Sequence, residues 1–218
     1  MKVTVWLPLV WSAVFASTAL ASTTLASTAE ASTAVAQKQN ASSPAFAPVR
    51  ALPTDSIYQL NDTFTDQNGK AFQLRARSGQ LQLLAMFYSS CQYACPLIID
   101  SVKGVEKTLT PVQRGKLALL LISFDAARDT PAVLAELAIK RKLDHSRWTL
   151  ARTSASGVRK LSALLGVRYR ELANGEFNHS SQLILLDAQG RVLARTEKMG
   201  GVPDADFIKL LAVALARE

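Results

Sequence analysis

From about residue 55 the hydrophobic positions fall into short blocks whose period changes along the chain. Leu81 to Phe87 is almost continuously apolar, the pattern of a strand covered on both faces. Leu117 to Phe124 repeats that pattern. Between the two, Ile98, Val102, Val105 and Leu109 recur at helical intervals behind Pro96. A proline's missing N–H costs nothing in a first helical turn, so a helix is expected to open there. A second helix is expected after Asp129-Thr130-Pro131, with Leu134, Leu137, Ala138 and Arg141 along one side, and Asp125 and Asp129 are read as its capping carboxylates. A short strand over Trp148 to Ala151 precedes a third helix carrying Val158, Leu161 and Leu165. Leu183 to Leu186 and Arg191 to Arg195 read as two strands joined by the turn Asp187 to Gly190. Pro203 opens a last helix with Phe207, Leu210, Leu211 and Ala214 inward. Upstream, Phe64 to Leu74 reads as a hairpin around Asn68-Gly69. Strands alternating with helices predict the α/β class, with a central mixed sheet, helices on both faces and an N-terminal hairpin extension.

The first fifty residues follow other rules. Lys2, the apolar run Val3 to Ala16 and the small residues Ala19-Leu20-Ala21 read as a secretory signal peptide over residues 1–21. No cysteine follows the run, which argues against a lipid attachment there. The alternative is an uncleaved membrane anchor, since Val3 to Ala21 is close to the ~20 residues a spanning helix needs, although Ser12, Ser17 and Thr18 weaken it. A five-residue repeat follows, starting at Ala16, Ala21, Ala26 and Ala31. That period fits neither helix nor strand, and its small side chains cannot offset the entropy of ordering. Residues 22–50 are therefore expected to be a disordered linker, and residues 51–218 the folded domain.

Charge changes the picture little. The chain of 218 residues carries a formal charge of +8 and a pI near 9.7. Its basic residues, among them Arg75, Arg114, Lys140 and Arg159, are scattered rather than massed with interleaved aromatics, which argues against nucleic acid. A solvated basic surface is the plain reading, with an acidic protein partner or an anionic membrane surface as the alternatives.

The chemistry is narrowed by scarcity, because the chain has only two cysteines, two histidines and three methionines. Cys91 and Cys95 lie in Ser90-Cys-Gln-Tyr-Ala-Cys-Pro96, where a buried strand hands over to a helix. A thiol at a helix N-terminus deprotonates more readily, as both metal ligation and disulfide exchange require. Three residues separate the cysteines, a loop wide enough for both sulfurs to address one metal and still able to close as a disulfide. A plain structural disulfide in an exported protein is the competing reading. Asn178-His179-Ser180 precedes the strand Leu183 to Leu186, and in thioredoxin folds the loop at this place faces the cysteine loop. Two thiolates and an imidazole make a soft, low-coordinate set that suits copper. Zinc competes for such a set, but no carboxylate stands out to activate a water. His145 reads as solvated, Met86 as core, and Met199, beside Gly200-Gly201, as a weak candidate for an auxiliary ligand.

With these residues assembled, the chain resembles the Sco/SenC family of copper-binding, thioredoxin-like proteins over residues 55 to 215. Four ordered segments carry the resemblance, namely Phe87 to Pro96, Ser123 to Pro131, Leu164 to Tyr169, and Asn178-His179-Ser180 leading to Leu186-Asp-Ala-Gln-Gly190. The resemblance implies a thioredoxin-like fold and one copper ion, Cu(I) or Cu(II), held by Cys91, Cys95 and His179. It also implies a role at the binuclear copper site of cytochrome c oxidase, by delivering copper or by keeping that site's thiols reduced. The partner would then be the oxidase's copper-bearing subunit or another periplasmic copper or thiol protein. The protein would be periplasmic, or held at the inner membrane if the leader is retained. The alternative is a thiol–disulfide oxidoreductase in which Cys91 and Cys95 are the redox-active pair and no metal is obligatory. Gln92-Tyr93-Ala94 lacks an acidic residue between the cysteines, and Asn178 stands where many relatives carry an acidic residue before the histidine.

Overall fold

The computed structural model describes residues 51–91 and 94–217, with Ala94 and Cys95 described by their backbone alone. The expected signal peptide and linker lie outside the described residues. Those described belong to one compact unit, Pro48–Glu218.

Seven strands form one mixed sheet. A hairpin of β1 (Phe64–Asp66) and β2 (Ala71–Phe72) turns at Gly69, whose φ of 77° is in the left-handed region that glycine tolerates. Next come β3 (Leu81–Phe87), α1 (Ala94–Lys107), α2 (Pro111–Gly115), β4 (Leu117–Ser123), α3 (Pro131–Lys140), β5 (Trp148–Arg152) and α4 (Ala155–Leu165). The chain continues through β6 (Tyr169–Glu171), β7 (Phe177–His179), β8 (Leu183–Leu186), β9 (Val192–Thr196) and α5 (Ala205–Arg217). The sheet order is β2-β1-β5-β4-β3-β8-β9, while β6 and β7 form a separate two-stranded ribbon. The β3/β4 and β4/β5 pairs are parallel, and the remaining pairs are antiparallel.

The continuous apolar runs are the centre of the sheet. Every residue of β3 and β8 is buried, so helices and loops cover both faces of these strands. The inner face of α1 is Ile98, Val102 and Val105, all buried, and Leu109 is buried just beyond the helix end. Each such aliphatic side chain contributes about 1.5–3 kcal/mol by leaving water. Helix α4 starts on the Ser154 hydroxyl, which accepts the Gly157 N–H at 3.0 Å, and ends at Gly166, φ 65°.

Three expectations need correcting. Leu210 is 52% exposed, and the inward stripe of α5 is Phe207, Leu211, Ala214 and Leu215. With 3.6 residues per turn, Leu210 falls to the side of that stripe. The cap of α3 is the Thr130 hydroxyl, accepting from the Val133 N–H at 3.3 Å, and neither Asp125 nor Asp129 holds that position. Helix α2 and the β6–β7 ribbon were not foreseen. Helix α2 is one short turn, held by a capping box in which Thr110 and Gln113 exchange side-chain and backbone hydrogen bonds.

Candidate metal centre

The cysteine loop leaves the C-terminal end of β3. Phe87 is its last residue, and its carbonyl accepts the Phe124 N–H at 2.7 Å, which holds the ends of β3 and β4 level. Tyr88, Ser89 and Ser90 then lead to Cys91, and Cys95 follows as the second residue of α1. This strand-to-helix handover is the one the sequence predicts.

A buried carboxylate anchors the loop from below. Asp129 has no exposed surface. Its Oδ2 accepts the Ser89 N–H at 3.0 Å and also the Ser123 hydroxyl, while its Oδ1 accepts the Ser89 hydroxyl. Ser123 in turn accepts the Asp125 N–H at 2.9 Å. A buried anion requires donors on its lone pairs, and here they come from both strand ends. Asp125 pairs with Arg128, and Arg128 also donates to the carbonyl of Gly175 in the turn between β6 and β7.

That ribbon carries His179. Tyr169 faces His179 across it and Glu171 faces Phe177. Alternation along a strand puts Phe177 and His179 on one face, and this face meets an aromatic cluster. The His179 ring lies 4.9 Å from the Phe124 centroid and 5.8 Å from that of Tyr88, edge-on to the latter. Phe177 is 5.2 Å from Tyr88, and Tyr169 stacks on Phe124 at 5.1 Å.

The environment of His179 selects its protonation. Burial pushes the imidazole below its ordinary 6.5, and the carbonyl of Ser180 opposes that shift only in part. Nδ1 lies 3.2 Å from that carbonyl oxygen. A carbonyl can only accept, so the proton of the neutral ring is on Nδ1 and the lone pair on Nε2, the arrangement a metal-ligating histidine needs.

Cys91 is half-buried against the hydrophobic core, and its side chain hydrogen-bonds with the Tyr88 hydroxyl. Tyr88 therefore touches both described members of the expected ligand set, Cys91 through its hydroxyl and His179 through its ring. Among the described residues no group of three or more His, Cys, Asp and Glu side chains is placed to hold a metal, and the Cys95 thiol is outside that set. A soft thiolate and a neutral imidazole on separate segments flanking one ring fit copper in donor chemistry.

Elsewhere, His145 is exposed in its loop, and Met86 is buried with its sulfur 3.6 Å from the Ser162 hydroxyl. Met199 packs against the hydrophobic core. Sequence reasoning missed Tyr88, Glu176 and the aromatic cluster. The turn pair Asn174-Gly175, flanked by Tyr169 and Phe177, was the available signal for the ribbon. No helix among the described residues is long and apolar enough to cross a membrane.

The SCO1 protein homolog of Bacillus subtilis (strain 168) is 23% identical over 149 residues, spanning 67% of this chain and 77% of its own. The crystal structure of yeast Sco1 with copper bound superposes with a TM-score of 0.59 at 20% identity, covering 72% of this chain and 87% of that one. BsSco, a member of the Sco family of cytochrome c oxidase assembly proteins in which a disulfide switch was identified, gives 0.59 at 20% identity, covering 72% and 92%. At these identities the structural likeness is one of fold, a thioredoxin-like mixed sheet. The family model described as SCO1/SenC matches residues 50–206, most of the chain. With that match over a fold and a cysteine–histidine site of this kind, the chain belongs to the SCO1/SenC family.

Proposed function

We propose that this chain is an exported copper-binding protein whose cargo is one copper ion held by Cys91, Cys95 and His179. It delivers that copper to the binuclear copper site of cytochrome c oxidase, or keeps the thiols of that site reduced. The observation that carries this reading is the placement of Cys91 and His179 against the same buried tyrosine, with the imidazole neutral and its Nε2 lone pair available. Copper-bound relatives of the same fold and a relative assigned to oxidase assembly support it. The leader over residues 1–21, the linker over 22–50 and the domain from residue 51 complete the reading, and put the cysteines in a compartment where disulfides persist. Thiols must be reduced to ligate, so oxidation of Cys91 and Cys95 to a disulfide would release the metal.

The second reading is a thiol–disulfide oxidoreductase, favoured by Cys95 in the first turn of α1, where the helix dipole stabilises a thiolate. Dithiol exchange needs no imidazole. The full chain should be reduced, loaded anaerobically with Cu(I) and freed of excess by a competing chelator, alongside Cys91→Ser, Cys95→Ser and His179→Ala. One copper per monomer in the wild type, with marked weakening in each variant, supports the copper reading. Exchange activity that survives His179→Ala, with no copper retained by the wild type, selects the oxidoreductase.

A further inference from the structure

Tyr88 is 3% exposed, and its ring alone would satisfy packing against Phe177 and His179. The hydroxyl does something the ring does not. It donates to Glu176 Oε2 at 2.8 Å, accepts the Phe177 N–H at 3.4 Å, and hydrogen-bonds with the Cys91 side chain. Glu176 and Phe177 are where the chain enters β7, and His179 follows two residues later on the face of Phe177. One buried oxygen thus joins the cysteine loop to the strand that carries the histidine.

Such a tie matters because the ribbon has little cohesion of its own. It is two strands of three residues each, paired only with one another, and an isolated two-stranded hairpin is marginal in water. Its position is therefore set by its attachments to the rest of the domain. Arg128 holds the turn end through the Gly175 carbonyl, and Tyr169, Phe177 and His179 pack on Phe124. At the other end the Arg168 carbonyl accepts the Ser180 N–H and the Ser180 hydroxyl accepts the Arg168 N–H, which only closes the ribbon on itself. None of these contacts reaches the cysteine loop. The Tyr88 hydroxyl does.

We infer that Tyr88 is a positioning residue whose hydroxyl latches the His179-bearing ribbon to the Cys91 loop and so fixes the separation of the two ligands. This rests on the copper reading above. Tyr88→Phe keeps the ring contacts but leaves the Glu176 carboxylate and the Phe177 N–H without this partner.

The test uses the reduced full chain as wild type, Tyr88→Phe and Glu176→Ala. Glu176→Ala removes the ribbon half of the latch without disturbing the core, should Tyr88→Phe fail to fold. Loss of a group that orients a metal ligand weakens metal affinity by about 10- to 100-fold, and both variants should fall in that range by chelator competition for Cu(I). The Cys-to-Cu(II) charge-transfer band should shift in both, a change that a merely structural defect does not cause. Without metal, amide exchange over residues 172–180 should quicken in both variants while residues 81–87 and 117–123 exchange as in the wild type. Unchanged affinity and spectrum overturn the inference, as does weaker affinity with unchanged exchange in the ribbon. A wild type that retains no copper removes the copper reading instead, and the exchange comparison then decides on the latch alone.

Discussion

Replacing Asp129 tests how the cysteine loop is held. In Asp129→Ala the Ser89 N–H, the Ser89 hydroxyl and the Ser123 hydroxyl all lose a charged acceptor in a site without exposed surface. Hydrogen bonds to charged groups contribute about 1.5–3 kcal/mol each, so the gross loss is several kcal/mol. Removing the carboxylate also removes its desolvation cost, which is itself several kcal/mol per buried ion. The two hydroxyls can rotate towards other acceptors, but the Ser89 N–H is fixed by the backbone. The net destabilisation expected is about 3 kcal/mol. Asp129→Asn differs in a way the geometry dictates. Oδ2 accepts two donors and Oδ1 only the Ser89 hydroxyl. An asparagine with its oxygen at the Oδ2 position keeps the first two bonds and donates its NH₂ to a reversed Ser89 hydroxyl. Its cost should be about 1 kcal/mol, the difference between charged and neutral hydrogen bonds. Urea unfolding of the reduced full chain, compared at a common slope, measures both. If asparagine costs as much as alanine, charge rather than hydrogen-bond geometry holds the loop and the reasoning fails.

Three further outcomes follow from single contacts. Gly190→Ala should destabilise the fold by about 2–4 kcal/mol in the same assay, because φ is +79° and an added Cβ would meet the Tyr58 ring at 2.6 Å. Glu106→Ala should cost about 2–3 kcal/mol in the same assay, since its carboxylate pairs with Arg147 at 2.5 Å and accepts the buried Trp148 indole N–H at 2.9 Å. The Thr196 hydroxyl, 2.7 Å from Oδ2, holds the Asp204 carboxyl below its ordinary 3.8, helped by the first amides of α5. A depressed carboxyl stabilises the fold above its unfolded value and loses that contribution as pH falls through the folded one. Asp204→Asn should therefore lower stability at neutral pH and flatten the acid limb of a stability–pH curve, the variant and the wild type converging below 3.8. An acid limb as steep as the wild type's would count against this account.

What could be read from sequence was whatever burial on both faces makes unambiguous. Leu81 to Phe87 and Leu183 to Leu186 were legible as strands because a fully covered strand has no polar face to alternate with. The ribbon was not legible, because Tyr169-Arg-Glu171 and Phe177-Asn-His179 mix charge with aromatics over three residues each, too short for a period to register. At the site, Cys91 and His179 stood out by scarcity, and the structure sets both against Tyr88. Tyr88 itself was invisible, since a tyrosine after an apolar strand looks like core until its hydroxyl is seen to have partners on another segment. Asp129 was misread for a similar reason. An acid just before Thr-Pro is a common cap, and only the depth of the β3 and β4 ends shows that it faces inward.

The pairing of β3 with β8 sets the order of assembly. Leu84 pairs with Ile184, a hundred positions further along the chain, while its parallel neighbour β4 is much nearer in sequence. During synthesis, β3 and β4 can meet while the other edge of β3 stays open. That edge belongs to a strand buried along its whole length, and an unpaired apolar edge invites pairing with another chain. Closure waits for the segment from Leu183 onward, which brings β8, β9 and α5 together. A chain cut short before Leu183 would keep both cysteines and His179, yet leave Leu81–Phe87 open to aggregation.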